Sequence, residues 1–458
     1  MKYRIESDSI GQREIPADAY YGVQSLRGAE NFPITGQRLR PEFIVSLAEI
    51  KKTCAICNHL SGELSEEITQ AISQAADEII AGKFHDQFIC DPIQGGAGTT
   101  ANMNANEVIA NRAIEILGGE KGDYSIVHPN DHVNRSQSTN DVIPTAAKLT
   151  TAKLLKGALE QLGRLRDALG AKAVEFHDVI KMGRTQMQDA VPIRMGSEFG
   201  AYRQAIARDL VRLARAGEEM VAVNLGGTAI GTALNATPEY IESLAPILSE
   251  ITGLPVIKAE DLVDGTQNLD SFAYVSSALK TCAISCSKIA NDLRLMSSGP
   301  RCGFEEINLP PMQNGSSIMP GKVNPVIPEV MSQVAFCIIG NDTCITMAAE
   351  AGQLELNYAE PVLYHKLFES IVALTGAVQT FVDRCVSGIT ANRERCAELV
   401  EESVGVITAI CPQVGYKKSA KVAKKAIATG KSVREVLKEE NLMSEDEIET
   451  ILDPKTMV

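Results

Sequence analysis

Residues 272–296 read FAYVSSALKTCAISCSKIANDLRLM, a stretch that contains neither glycine nor proline. Its apolar side chains recur in alternating steps of three and four residues, the spacing of one stripe along an α-helix that packs in a bundle or coiled coil. The stripe comprises Val275, Leu279, Cys282, Cys286, Ile289, Leu293 and Met296. We therefore predict a long helix whose apolar side faces other helices.

Other stretches in the middle of the chain carry a similar pattern. Apolar stripes run over residues 155–176 and 199–220. A further long helix is predicted to begin after Pro328 and to continue towards Met347. Helices of about 25–35 residues are roughly 40–50 Å long at 1.5 Å per residue. One chain does not easily cover so much apolar seam, so we expect helices of other subunits to complete the bundle. A bundle within one chain is the alternative that the pattern leaves open.

The two ends of the chain differ from this helical middle. Residues 1–139 mix shorter helical patterns with loops rich in glycine and asparagine. Residues 393–458 hold short helical segments with capping boxes at Ser432–Glu435 and Ser444–Glu447. A length of 458 residues allows about three domains. We predict an all-α core with a mixed helical domain over 1–139, a long-helix bundle over 140–392 and a small helical domain over 393–458.

The composition excludes several classes of protein. The formal net charge is −14 and no basic block that would follow a phosphate backbone stands out, so we expect no nucleic-acid partner. Apolar residues make up 45% and aromatic residues 5%, with no tryptophan, which favours a core of aliphatic side chains between helices. The N-terminus is polar, and no run approaches the roughly 20 apolar residues that span a bilayer. We therefore expect a cytoplasmic protein without a membrane partner.

The cysteines and histidines do not form a convincing redox or metal site. The 11 cysteines are scattered along the chain, which indicates free thiols in a reducing compartment. Cys54 and Cys57 have the CxxC spacing of a redox pair but lie within a predicted helix, so we interpret them as core residues. His128 and His132 have the spacing of metal ligands on a helix but would need further ligands. We predict no metal site.

Four polar segments interrupt the helical pattern and are richer in hydroxyl and amide side chains than a connection requires. They are Gly95–Thr100, His128–Asp141, Gly183–Pro192 and Gly315–Pro325. Several lead into predicted helix N-termini, where free N–H groups and the helix dipole favour an anion. Helix capping would explain any one segment, but four in one chain indicate a site for carboxylate groups. The last segment, GSSIMPGKVNP, adds one lysine and two glycines that let the backbone close on a ligand.

GSSIMPGKVNP resembles the signature of the fumarase/aspartase superfamily, whose members cleave C–N or C–O bonds and release fumarate. The resemblance covers nearly the whole chain, including the opening stretch ESDSIGQREIPADAYYGVQSLRGAENFPI. Thr100, Thr139 and Gln186 are closer to the ammonia-lyase branch than to the hydratase branch. The resemblance implies reversible deamination of L-aspartate to fumarate and ammonia, with no cofactor.

The resemblance also implies a role for each polar residue. Ser316 is the general base that takes the C3 proton of aspartate, after which charge develops on the β-carboxylate. The expected ligands of the β-carboxylate are Ser138, Thr139 and Ser317. The expected ligands of the α-carboxylate are Thr185, Lys322 and Asn324. The residues expected around the amino group are Thr99, Asn140 and Gln186. Because glutamine cannot act as a general acid, Gln186 cannot replace the histidine of related enzymes in that role.

The fold implied by the resemblance has three domains, and the central domains of four subunits form a bundle of twenty helices. Each active site is then expected to draw on three subunits of a homotetramer. One contributes Ser138–Asn140, a second contributes Thr185 with Gln186, and a third contributes Ser316.

Three alternatives stay open. Fumarate hydration is the nearest other activity, and Gln186 argues against it. A non-catalytic structural protein, of the kind recruited to the lens from this superfamily, is disfavoured because Ser316 is present. His128, Asn130 and Asp131 match a second dicarboxylate site of hydratases, but a structural turn capped by these side chains is equally expected, so they are not assigned to the catalytic set.

Overall fold

The structure of the protein, a computed structural model, describes residues 2–458. Long helices dominate it. The helices are α1 (Val23–Asn31), α2 (Pro41–Leu60), α3 (Glu66–Ile80), α4 (Thr99–Ile116), α5 (Thr139–Glu175), α6 (Met195–Glu218), α7 (Pro238–Thr252), α8 (Leu262–Gln267), α9 (Asp270–Met296), α10 (Val326–Glu350), α11 (Glu360–Arg384), α12 (Arg393–Glu402), α13 (Cys411–Val414), α14 (Tyr416–Thr429), α15 (Val433–Glu439) and α16 (Glu445–Ile451). The predicted all-α core is confirmed.

The strands are short and pair only in twos. They are β1 (Tyr3–Asp8), β2 (Gly11–Pro16), β3 (Ile180–Thr185), β4 (Gln188–Arg194), β5 (Ala222–Val223), β6 (Ile257–Lys258), β7 (Ile307–Asn308) and β8 (Thr390–Ala391). The pairs β1–β2, β3–β4 and β7–β8 are antiparallel, and β5–β6 is parallel. The prediction that Gly183–Pro192 is a polar loop is therefore wrong, because most of this segment forms the β3–β4 hairpin.

The apolar stripe from Val275 to Met296 lies in α9, and all of its apolar residues are buried. α5 has 37 residues and α10 has 25. α10 begins at Val326, before Pro328, because proline is tolerated in the first turn of a helix. The capping boxes at Ser432 and Ser444 form as predicted.

The chain divides into two compact units. The first comprises Met1–Leu159, Arg212–Lys280 and Cys337–Ala373, and the second comprises Glu160–Val211, Thr281–Phe336 and Leu374–Val458. In the first unit α2 packs against α3 and α7, and α4 packs against α1 and α3. In the second unit the β3–β4 hairpin lies beside α12, and α14 packs against α15. The division into three domains remains a prediction.

The α2 helix confirms the interpretation of the CxxC pair. Cys54 and Cys57 are buried and free. Burial raises the pKa of the Cys57 thiol to about 11 and also raises the pKa of Cys54. Neither thiol is a reactive thiolate at neutral pH, because the thiolate is the reactive form.

α10 leaves part of its apolar surface uncovered. Phe336 is 63% exposed and Met347 is 66% exposed. In the part of the chain that the structure describes, α10 is also the one helix long and apolar enough to cross a membrane by length and composition. The sequence of α10 is nevertheless interrupted by polar residues, and the absence of a membrane partner remains a prediction. α10 also bears a buried carboxylate, Asp342, which accepts hydrogen bonds from Ser276 and Lys280 of α9. Such partners are typical of a helix that packs within protein.

Candidate active site

The Gly315–Pro325 segment folds back on itself. The Gly315 N–H donates to the Lys322 carbonyl oxygen at 2.8 Å, and the Asn324 side-chain amide donates to the Gly315 carbonyl oxygen at 2.7 Å. A Cβ at Gly315 would lie 2.6 Å from the Lys322 oxygen, so only glycine fits this close approach. Gly321 has φ = +83°, where residues with a side chain are strained. Glycine at these two positions therefore allows the two ends of the segment to meet.

Ser316 accepts two backbone hydrogen bonds within this segment. Its Oγ accepts hydrogen bonds from the backbone N–H groups of Ile318 at 3.2 Å and Met319 at 3.0 Å. Two N–H dipoles aimed at one oxygen favour negative charge on it. Ser317 and Lys322 lie on the exposed side of the same segment. Among residues 2–458, Lys322 has no ion-pair partner in the chain, so its ammonium is available to an anion.

Thr185 and Gln186 occupy the tip of the β3–β4 hairpin. Thr185 pairs with Gln188, which leaves Gln186 and Met187 as the two turn residues. Both have positive φ, +53° and +63°, although neither is glycine. Backbone strain of this kind persists where the surroundings hold it and is typical of functional sites. Both Thr185 and Gln186 are exposed.

In the first unit, the structure brings Thr99 and Ser138–Asn140 together. Thr99 begins α4 after three residues with positive φ, and a Cβ at Gly98 would lie 2.9 Å from the Ile143 side chain of α5. Asn102 of α4 donates to the Thr139 hydroxyl oxygen at 3.2 Å. The close approach of two helix N-termini thus places the two predicted segments side by side.

The hydrogen bonds of this pair of segments fix which atoms remain free. The Ser138 Oγ accepts from the Asn140 N–H at 3.2 Å, as in helix capping. The Asn140 side-chain N–H donates to the Ala229 carbonyl at 2.7 Å, so its side-chain oxygen remains as an acceptor. The Thr99 hydroxyl donates to the Gly96 carbonyl at 2.7 Å, which likewise leaves lone pairs for an acceptor role. Thr139 receives a bond from Asn102 and keeps its own proton to donate.

A buried lysine lies beneath this arrangement, and the sequence analysis missed it. Lys51 is fully buried, and its Nζ donates to the side-chain oxygens of Asn102, Asn134 and Gln137 at 2.8–2.9 Å. Burial lowers its pKa to about 7. A signal was present, because Lys51 continues the apolar stripe of α2 between Leu47 and Cys54, where a charged residue needs a reason.

Asp141, the last residue of the His128–Asp141 segment, has a structural role that the sequence did not predict. Its buried carboxylate accepts the N–H groups of Ser138 at 2.9 Å and of Gly226 and Thr228 at 3.0 Å. Burial raises its pKa to about 6, against the effect of these hydrogen bonds. Asp141 therefore ties the start of α5 to the segment near residue 226.

The residues His128–Val133 form a structural turn. The His128 Nδ1 accepts from the N–H groups of Asn130 and Asp131 at 3.2 Å, and the His132 Nδ1 accepts from the His128 N–H at 2.9 Å. The Nδ1 atoms of both histidines therefore accept hydrogen bonds from the backbone of this turn. The geometry supports a capped structural turn rather than a second dicarboxylate site. Within residues 2–458, no group of three or more His, Cys, Asp or Glu side chains is arranged to hold a metal ion.

The predicted site residues therefore fall into two groups within one chain. Thr99, Ser138, Thr139 and Asn140 lie in the first unit. Thr185, Gln186, Ser316, Ser317, Lys322 and Asn324 lie in the second. Both groups offer hydroxyl, amide and backbone donors, and the second adds one free cation, a set suited to a small dicarboxylate.

Comparison with known proteins agrees with this chemistry. The profile of the Lyase family matches residues 11–340, and the profile of the fumarase C C-terminus matches residues 406–458. The aspartate ammonia-lyase of Bacillus subtilis (strain 168) is 54% identical over 456 residues, which cover 100% of this chain and 96% of that protein. The aspartate ammonia-lyase of Helicobacter pylori (strain ATCC 700392 / 26695) is 50% identical and covers 99% of this chain and 98% of its own length.

Solved structures share the fold. A fumarate lyase:delta crystallin from Brucella melitensis bound to cobalt superimposes with a TM-score of 0.96 at 48% identity, covering 100% of this chain and 99% of that chain. A class II fumarase from Schistosoma mansoni also has a TM-score of 0.96, at 35% identity and the same coverage. The identity to the aspartate ammonia-lyases is higher than to this fumarase, at 54% against 35%. This chain therefore belongs to the fumarase/aspartase superfamily of lyases, on its aspartate ammonia-lyase branch.

Proposed function

We propose that this chain catalyses the reversible deamination of L-aspartate to fumarate and ammonia. The observation that carries the proposal is the Ser316 hydroxyl with two backbone N–H groups directed at its oxygen. A serine hydroxyl is a weak base in water, but an alkoxide held by fixed donors in a closed site is strong enough to take a weakly acidic C–H proton. Full-length relatives named aspartate ammonia-lyase, such as that of Bacillus subtilis at 54% identity, support the substrate.

The reaction follows from where the charge goes. The Ser316 alkoxide takes the C3 proton of aspartate, and the C–H electron pair moves into the β-carboxylate to give an enediolate-like dianion. Ser138, Thr139 and Ser317 supply O–H donors to this carboxylate, where the charge develops. The electron pair then returns to form the C2–C3 double bond as the C2–N bond breaks. Ammonia and fumarate leave, and Ser316 passes the proton that it took to solvent, which restores the alkoxide.

The remaining ligands orient the substrate for this step. Thr185, Lys322 and Asn324 hold the α-carboxylate, with Lys322 supplying the full positive charge. The acceptor atoms of Thr99 and Asn140 face the amino group, together with Gln186. Asn324 bonds to the Gly315 carbonyl in this structure, and it retains a second N–H for the carboxylate.

We also propose a cytoplasmic homotetramer in which each active site is shared by three subunits. The exposed apolar side of α10, with Phe336 63% and Met347 66% exposed, supports association because large exposed apolar surfaces mark contacts. The group that includes Thr139 and the group that includes Ser316 belong to separate units of the chain. A shared site would unite them across subunits.

Subunit mixing tests the shared site. Ser316→Ala and Thr139→Val homotetramers are each expected to be nearly inactive. When equal amounts are dissociated and reassembled at random, a site is whole only if both donors are unmutated, which gives about a quarter of wild-type activity under closed symmetry. Ser316→Ala mixed with itself is the control. Failure to regain activity in tetrameric mixtures would show that both residues serve a site within one chain.

One assay tests the reaction itself. The absorbance of fumarate is followed after adding L-aspartate, with L-malate in parallel. Fumarate should form from aspartate. Formation from malate but not from aspartate would replace the proposal with fumarate hydration, the alternative that Thr139 and Gln186 disfavour.

A further inference from the structure

A buried cluster of charges lies at the base of the β3–β4 hairpin, outside the residues assigned to substrate. The Glu306 side chain is completely buried, and its Oε1 accepts from Arg184 Nη1 at 2.7 Å. Its other oxygen lies 3.3 Å from Lys181 Nζ, which is in turn 3.4 Å from Glu198 Oε2. Lys181 is 4% exposed and Arg184 13% exposed at their side chains. Two cations of one strand therefore meet on a single carboxylate.

Glu306 is itself fixed on both sides of its backbone. Its N–H donates to the Met296 carbonyl at 2.9 Å, and its carbonyl accepts from the Asn392 N–H at 2.9 Å. The Arg184 guanidinium also lies over the Phe304 ring, at 4.0 Å from the centroid. The carboxylate is thus a rigid anchor rather than a mobile surface group.

The hairpin needs such an anchor because its tip is strained and exposed. Gln186 and Met187 both have positive φ, and the strand register shifts between Met182 and Arg184. On the returning strand, Asp189 accepts a hydrogen bond from Ser403 at 2.7 Å. Arg184 is the residue directly before Thr185, so its bond to Glu306 restrains the strand next to the turn.

We propose that Glu306 is a positioning residue that sets the Thr185–Gln186 turn for substrate through Arg184 and Lys181. This inference rests on the proposed function, in which Thr185 and Gln186 contact the α-carboxylate and the amino group. Glu306 itself does not touch substrate. Without the Glu306 charge, Lys181 keeps Glu198 at 3.4 Å, but Arg184 loses its carboxylate partner and is expected to move, because an unpaired buried charge is costly.

Glu306→Gln tests this role, because it keeps the shape of the side chain and removes the charge. The KM for L-aspartate is expected to rise about tenfold or more, with a smaller fall in kcat because Ser316 is untouched. Glu49→Gln is the matched control, since Glu49 is a buried carboxylate of α2 paired with Lys153 and lies outside the site. It is expected to keep the wild-type KM.

A double-variant cycle separates positioning from general loss of structure. If Glu306 acts through Thr185, then Glu306→Gln combined with Thr185→Val lowers kcat/KM about as much as the worse single variant. Glu49→Gln combined with Thr185→Val should lose only what Thr185→Val loses alone. If Glu306→Gln does not fold, Arg184→Gln replaces it in the cycle, because it leaves the Lys181–Glu306 ion pair intact.

Two results would overturn the inference. One is an unchanged KM in the folded variant. The other is a double-variant loss close to the product of the two single losses, since independent effects multiply. The unmodified chain is assayed first, so that absence of fumarate from L-aspartate refutes the proposed function, whereas additivity in an active enzyme refutes only the role of Glu306.

Discussion

The Met319 N–H is expected to stabilise the Ser316 alkoxide, and a single-atom change tests this. Replacing Met319 with its α-hydroxy acid analogue puts an ester oxygen in place of the N–H that lies 3.0 Å from Ser316 Oγ. A hydrogen bond between neutral groups contributes about 1 kcal/mol, and one to a charged group about 1.5–3 kcal/mol. The difference, about 0.5–2 kcal/mol, is the preference of this donor for alkoxide over hydroxyl. At 1.36 kcal/mol for each tenfold change, kcat/KM should fall about 2–30-fold.

The assay is fumarate formation from L-aspartate under kcat/KM conditions. The matched control is glycolic acid in place of Gly321, because among residues 2–458 the backbone donors to Ser316 are Ile318 and Met319. This second ester lies in the same segment and should leave kcat/KM nearly unchanged. A Met319 ester that keeps more than half of the wild-type value would refute the reasoning, as would an equal loss in the Gly321 ester.

Three further outcomes are expected. Ser316→Ala should lower kcat about 10²–10⁴-fold while a dicarboxylate inhibitor still binds in a calorimetric titration, and substantial residual kcat would place the base elsewhere. Lys322→Ala should raise KM and lower kcat in steady-state assays, because the α-carboxylate loses a charged partner, and an unchanged KM would exclude it from the site. Burial raises the pKa of Glu107 to about 7 from 4.5. The protonated carboxyl group therefore stabilises the fold fully below about pH 4.5, and this stabilisation, about 3 kcal/mol, is lost as the pH rises through 7. Glu107→Gln should remove that slope from urea unfolding between pH 5 and 7, and an unchanged slope would contradict the assignment.

Local pattern was sufficient for much of the fold. The α9 stripe and both C-terminal capping boxes follow from spacing and residue type, which act within a few turns of chain. The same holds for Cys54 and Cys57, whose place in a helical run predicted burial. The β3–β4 hairpin was missed because its turn, Gln186–Met187, lacks the Gly, Asn or Asp that such turns normally contain.

By itself, the sequence determined the family and predicted which side chains bind a dicarboxylate, because GSSIMPGKVNP and the threonines and asparagines of the other segments are chemically suited to that task. Only the tertiary structure decided how they are held. The Asn102 bond to Thr139 and the Glu306 bond to Arg184 join residues far apart in the chain. The two N–H groups on Ser316 come from its own segment and depend on how that segment folds back. Hydrogen bonds and buried ion pairs depend on distances of about 3 Å between atoms, and spacing along a chain does not specify such distances once helices and hairpins intervene.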